Sequence, residues 1–212
     1  MTMRKVFGVF CILLGIACLL AALGLVVYNH NEEKSAEAAS RQLLQDVQLK
    51  IALPPETTEP VSAQPPESEP TSETLPREMP AAQVNGYDCV GVLSIPVLEL
   101  ELPVLADWDY AKLKVAPCQY FGDCYEPNFV IAAHNYPSHF GRLSQLEKGD
   151  LILFTDMTGT LFCYEVVLLE TLPGDATEEM ITSGFDLSLY TCTPGGASRV
   201  TVRCNTVNLN QK

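Results

Sequence analysis

No charged side chain occurs in the 23 residues at positions 6–28, and that run divides the chain before anything else about its fold can be decided. As a helix it would be about 35 Å long, enough to cross the hydrocarbon core of a bilayer with some tilt. Arg4 and Lys5 precede it, and Glu32 and Glu33 follow. This placement of positive charge predicts that residues 1–5 stay in the cytoplasm and that everything after the span lies outside. A cleaved leader is the competing reading. Its apolar region usually runs only about 7–15 residues, and no persuasive small-x-small cleavage site follows Tyr28.

Beyond the span the composition changes twice. Residues 29–53 place Leu43, Leu44, Val47 and Ile51 among Ala, Glu, Gln and Lys, which predicts a short membrane-proximal helix. Residues 54–83 are dominated by Pro, Glu, Ser and Thr and contain no aromatic residue. Such a segment cannot bury enough surface to order itself, so it is expected to be an extended tether that gives a domain reach. A folded domain is then expected over residues 84–212. Strand signals recur there at 87–95, 98–105, 128–133, 151–155, 160–171, 187–192 and 199–207, with short helical turns at 108–115, 138–146 and 176–182. Many short strands and few helices predict an all-β barrel or sandwich.

The net charge of −13 argues against nucleic acid as a partner, because phosphate contacts need clustered Lys and Arg. Of the eight cysteines, Cys11 and Cys18 fall inside the apolar run, while Cys89, Cys118, Cys124, Cys163, Cys192 and Cys204 follow it. If one of those six is a working thiol, an odd number remains and a fully oxidised framework is excluded. Cys118 and Cys124 could close a small disulfide loop, and a reduced state fits equally well. There is no CxxC, the three histidines are badly spaced for zinc, and no acidic cluster announces calcium, so neither a metal nor another cofactor is expected.

The chemistry concentrates near the C-terminus. Cys192 ends an apolar run, Pro194-Gly195-Gly196 makes a turn, and Arg199 opens a second alternating run. Two strands joined by that turn would put a thiol and a guanidinium at the same end of a sheet, and a nearby fixed positive charge favours the thiolate. A cysteine on a strand is most often a small apolar residue, so its position and its partners carry the case. Arg203 shares the face of Arg199 with Thr201 between them, and either could serve; Arg199 is nearer the turn. His134 stands where the buried run 128–133 breaks into a loop, a position that projects side chains into clefts. His139 is a rival with less rigid support, and His30 borders the span.

Leu-Tyr-Thr-Cys at 189–192, Arg-Val-Thr-Val at 199–202 and Ala-Ala-His-Asn at 132–135 together resemble the sortase family. The segments at 90–105 and 134–150 resemble that family's opening strands and histidine loop. Ser188 stands where the family's cysteine motif usually has Thr. The resemblance covers residues 87–207 and implies an eight-stranded closed β-barrel and a membrane-anchored cysteine transpeptidase. It implies Cys192 as nucleophile, His134 as general acid and base, and Arg199 as oxyanion stabiliser. Thr191 and Asn135, beside the thiol and the imidazole in those motifs, are the expected supporting residues. The implied partners are exported proteins with a C-terminal sorting signal and an amine of cell-wall peptide or protein. Two other readings compete: a different extracytoplasmic cysteine peptidase or transpeptidase, and a non-catalytic surface-display domain.

Overall fold

One unbroken helix, α1 (Met3–Ala52), opens the chain. The protein is described by a computed structural model, which covers residues 3–53 and 79–208. No proline or glycine lies between Tyr28 and Ala52, so nothing stops the helix at the end of the apolar run, and the segments 6–28 and 29–53 form a single rod. Its apolar half is long and apolar enough to cross a membrane, and none of its most apolar window is buried inside the molecule. Its second half buries Ala36, Ser40, Leu43 and Val47 to 3% exposure or less. Those positions recur at helical spacing and form one stripe facing the folded domain.

The domain begins with β1 (Ala82–Val84) and β2 (Tyr87–Ile95), joined by Asn85-Gly86. Both turn residues have positive φ, 51° and 83°. That is the geometry a two-residue hairpin demands and that Asn-Gly supplies. There follow β3 (Leu100–Leu105), α2 (Tyr110–Leu113), β4 (Cys118–Phe121), β5 (Phe129–Ala132), β6 (Leu151–Asp156), β7 (Leu161–Pro173), α3 (Thr177–Ile181), β8 (Leu187–Cys192) and β9 (Ser198–Thr206).

The strands neighbour one another in the order β2-β3-β4-β5-β8-β9-β7-β6, and β6 pairs back onto β2. Eight strands thus close a barrel, which leaves no long edge open to other chains. β1 continues the wall beside β6. It pairs with residues 87–89 of β2, and β6 pairs with residues 91–94. The hand-over falls at a bulge between Cys89 and Gly91. A side chain at Gly91 would run into the Thr155 carbonyl of β6.

Alternation along the strands sorts side chains to the two faces of the wall. Leu93, Ile95, Phe129, Ile131, Leu187 and Leu189 fill the interior. Leu105, Cys118, Val130, Ala132 and Tyr190 belong to a second cluster on the outside, which Leu43 and Val47 of α1 join where the helix lies over β2 and β3. Burying a large apolar side chain contributes about 1.5–3 kcal/mol, so α1 is an integral layer of the domain.

Several expectations need correction. The strand expected from residue 98 begins at Leu100. A 3-10 turn, Pro96–Leu98, precedes it and ends on Glu99 in the left-handed region. The turn expected over 138–146 is helical only at Leu143–Gln145, because the residues before it bond their amides back to the His134 and Tyr136 carbonyls. β1 and β4 were not expected at all. No disulfide joins any two of the cysteines among the described residues. Cys118 belongs to the outer cluster and Cys124 to the interior one, so the barrel wall separates the pair that might have closed a loop. Most of the expected tether, residues 54–78, lies outside the described residues. Its flanks do not. Lys50 Nζ donates to the Gln83 carbonyl at 2.9 Å, and Asn85 Nδ2 donates to Asp46 at 2.6 Å. The described residues on either side of it are thus tied to each other directly.

Candidate active site

β5 and β8 lie side by side and parallel. Their register pairs Phe129 with Leu187 and runs without slip to Ala132 with Tyr190, an offset of 58 residues at every step. Beyond the last pair, Ala133 N donates to the Tyr190 carbonyl at 3.2 Å. Thr191 Oγ1 donates to the Ala133 carbonyl at 2.8 Å. The next residues at the same offset are His134 and Cys192. On the other side of β8, Cys192 is the register partner of Arg199 on β9. Imidazole, thiol and guanidinium thus stand on one rung across three adjacent strands.

They also stand on one face. Phe129, Ile131, Ala133, Leu187 and Leu189 belong to the interior, and Val130, Ala132 and Tyr190 to the outer cluster. By the alternation of strands, His134 and Cys192 project outward, and Arg199 does so opposite Cys192. All three are partly exposed. One rung below, Tyr190 packs its ring against Tyr120 at 5.3 Å, and a small cleft lined by Tyr120, Tyr190, Met180, Thr177 and Arg199 opens beside the site.

The loop after β5 aims His134. Phe140 N donates to the His134 carbonyl at 3.1 Å, and Gly141 N to the Tyr136 carbonyl at 2.9 Å. The fold back is so tight that a Cβ on Gly141 would lie 2.5 Å from the Asn135 carbonyl oxygen. Asn135 itself is exposed. His134 Nε2 is buried and has no hydrogen-bond partner among the described residues. Burial, and next the charge of Lys114, hold the His134 pKa below the ordinary histidine value, while Glu32 acts in the opposite sense. Glu32 lies on α1. It accepts from Lys114 Nζ at 3.1 Å and from Tyr28 Oη at 3.0 Å. A cleft between α1 and the loop is lined by Val26, Asn29, His30 and Glu33 on one side and by Asn135 and Tyr136 on the other. Sequence reasoning missed α1 as a neighbour of the site, and nothing in the local pattern could have revealed it.

His139, the rival histidine, is fully buried beneath the loop. Neither of its ring nitrogens has a partner among the described residues. Burial chiefly, and His134 secondarily, push its pKa down to about 4. The two arginines also separate. Arg199 Nη1 donates to the Gly196 and Ser198 carbonyls at 2.9 and 3.1 Å, so its guanidinium rests on the Pro-Gly-Gly turn beside the thiol. Arg203 pairs in register with Ser188, further down the strand, and is 2% exposed. Its Nε meets Glu170 at 2.8 Å, Nη1 donates to Ser188 Oγ at 2.8 Å, and Nη2 donates to the Glu179 carbonyl at 2.9 Å. Arg203 clamps α3 to the barrel, four residues along β9 from the partner of Cys192. Among the described residues, no three His, Cys, Asp or Glu side chains form a group that could hold a metal ion.

The sortase domain family model matches residues 93–207, which includes the whole rung. The chain belongs to the sortase family. The same fold recurs in solved sortases. Sortase A from Corynebacterium diphtheriae is 23% identical with a TM-score of 0.53, over 59% of this chain and 64% of that one. Sortase C-1 from Actinomyces oris is 26% identical with a TM-score of 0.50, over 56% and 73%. Clostridium perfringens sortase C, solved with the C-terminal cell wall sorting motif, is 23% identical with a TM-score of 0.51, over 57% and 72%. This sortase thus spans just under two thirds of the Corynebacterium diphtheriae chain. No curated protein matches the sequence.

Proposed function

We propose that this sortase is a membrane-anchored cysteine transpeptidase that cleaves a sorting signal in exported proteins and transfers them to an amine of the cell wall. One observation carries the reading: a thiol, an imidazole and a guanidinium share a single outward-facing rung at the same end of three adjacent strands. A sorting motif is the ligand named for the Clostridium perfringens relative, and it supports a peptide of that class here. The first half of α1 acts as the anchor, with Arg4 and Lys5 on the cytoplasmic side.

In the first half-reaction the Cys192 thiolate attacks a peptide carbonyl carbon. Arg199 swings from its turn carbonyls to the developing oxyanion, where a fixed donor stabilises the transition state. The carbon–nitrogen bond breaks, and protonated His134 gives its proton to the leaving amine. A thioester to Cys192 remains. In the second half-reaction neutral His134 takes a proton from the incoming amine, that nitrogen attacks the thioester, and the thiolate departs. Burial biases His134 towards its neutral form, which suits the second half-reaction and makes the first the one that acid favours.

The test is transfer of sorting-signal peptides to an amine by the full-length protein and by Cys192→Ala. The expected result is loss of both cleavage and transfer, with a trapped peptide thioester in the wild-type protein alone. Full activity in Cys192→Ala sinks the proposal.

A further inference from the structure

The continuous α1 fixes which end of the barrel meets the membrane. β5 and β8 run towards the catalytic rung and end on it. β4 is antiparallel to β5, β3 parallel to β4, and β2 antiparallel to β3. The β1–β2 hairpin at Asn85-Gly86 therefore lies at the barrel end remote from the rung. That hairpin holds the C-terminal end of α1, through Asp46 and Lys50. Going back towards the N-terminus, Glu37 and Arg41 line a cleft with Glu101 and Ser138 near the start of β3, and Glu32 meets Lys114 beside His134. α1 thus travels along the barrel from the remote end to the catalytic end, and its apolar run leaves the domain past the catalytic end.

The distance left over is small. Glu32 is four residues beyond Tyr28, about 6 Å of helix rise. The cleft against Asn135 and Tyr136 is lined by Val26, which lies within the apolar run itself. The histidine loop is therefore level with the last turn of the span.

We propose that the barrel sits with its catalytic end against the bilayer that α1 crosses, so that His134 and Cys192 work at headgroup level on peptides and amines held at the membrane surface. The partner of this end is the lipid headgroup layer, met first by Asn135, Tyr136 and Pro137. The inference rests on α1 crossing the membrane, as proposed above, but not on the transferase chemistry. The docked stripe at Ala36, Leu43 and Val47 is what makes the placement rigid.

The test places p-benzoylphenylalanine at Asn135 or at Glu126 in the full-length protein, in vesicles of phosphatidylglycerol and phosphatidylethanolamine. Both positions are exposed. Glu126 lies in the β4–β5 connection at the remote end, roughly 20 Å further along the strands by strand rise. On irradiation, position 135 is expected to give a lipid adduct and position 126 none. Adducts at 126, or at neither position, overturn the placement. Release of the chain by alkaline carbonate would instead overturn the anchor, and because no step uses Cys192, failed peptide transfer would leave the cross-linking outcome intact. Leu43→Asp with Val47→Asp undocks α1 and is expected to abolish the difference between the positions. Persistence of the difference in that folded variant would refute the role of the docked helix, and if the variant does not fold, the wild-type pair still decides the placement.

Discussion

Thr191 Oγ1 donates a hydrogen bond to the carbonyl of Ala133 at 2.8 Å, one residue before Cys192 on one strand and one before His134 on the other. Both residues are buried. The bond lies just past the last β5–β8 register pair, so it holds Cys192 and His134 in step at the level where the ladder has run out. Thr191→Val keeps the shape and strands a buried carbonyl. It is expected to cost about 1–2 kcal/mol of stability, to lower kcat more than it raises KM, and to be rescued by Thr191→Ser. Thermal melts and steady-state transfer kinetics check it.

The two arginines on β9 are expected to fail in opposite ways. Arg199→Ala should leave the melting temperature unchanged and slow transfer by roughly 100- to 1000-fold, the usual effect of losing an oxyanion donor. Arg203→Met should unfold the protein more readily, by about 2–3 kcal/mol. That lies below the full range for a broken buried pair because Glu170 keeps 30% exposure. A variant pair that reversed this pattern would reassign the oxyanion role.

Lys114 and Glu32 act on His134 with opposite signs. Lys114→Ala removes a repelling charge, so the His134 pKa should rise and the alkaline limb of kcat/KM, where protonated His134 is lost, should move to higher pH. Glu32→Gln should move the same limb to lower pH. Lys114 is exposed and Glu32 partly so, and added salt should shrink both shifts. Titration of the His134 ring by NMR reads them directly.

His139 couples stability to acid. Its folded pKa is about 4, against an ordinary value of 6.5. Between those values the unfolded chain binds a proton that the folded chain refuses. Stability should therefore be intact above about pH 6.5 and fall as pH drops, by up to about 3 kcal/mol near pH 4. His139→Leu should flatten that part of the curve relative to wild type in denaturant titrations.

The sequence announced most of the barrel because half-buried strands alternate. The strand at 87–95 was read with its observed bounds, and Cys192 and Arg199 were placed at the same end of a sheet because a Pro-Gly-Gly turn admits little else. β4 escaped notice because four residues, joined to β3 at one register pair, leave too short a pattern. β1 escaped despite the Asn-Gly signal at 85–86, since the Pro-rich composition before it dominated. The parallel register of β5 on β8 was not legible. It is a long-range pairing across a crossover that contains β6, β7 and α3, and no local pattern encodes it. The docking of α1 was hidden for a similar reason: its stripe is readable as amphipathic, but the surface that receives it is assembled from several strands.

The anchored flanks of the segment at 54–78 bear on how this sortase could be shed from a cell. Lys50 and Asp46 grip the domain on one side of the segment, and Gln83 and Asn85 supply the grip on the other. A protease that cut there would sever the backbone without freeing the barrel, which would stay seated on its helix through Leu43 and Val47. The hold of the helix on the barrel is thus independent of the backbone that links them.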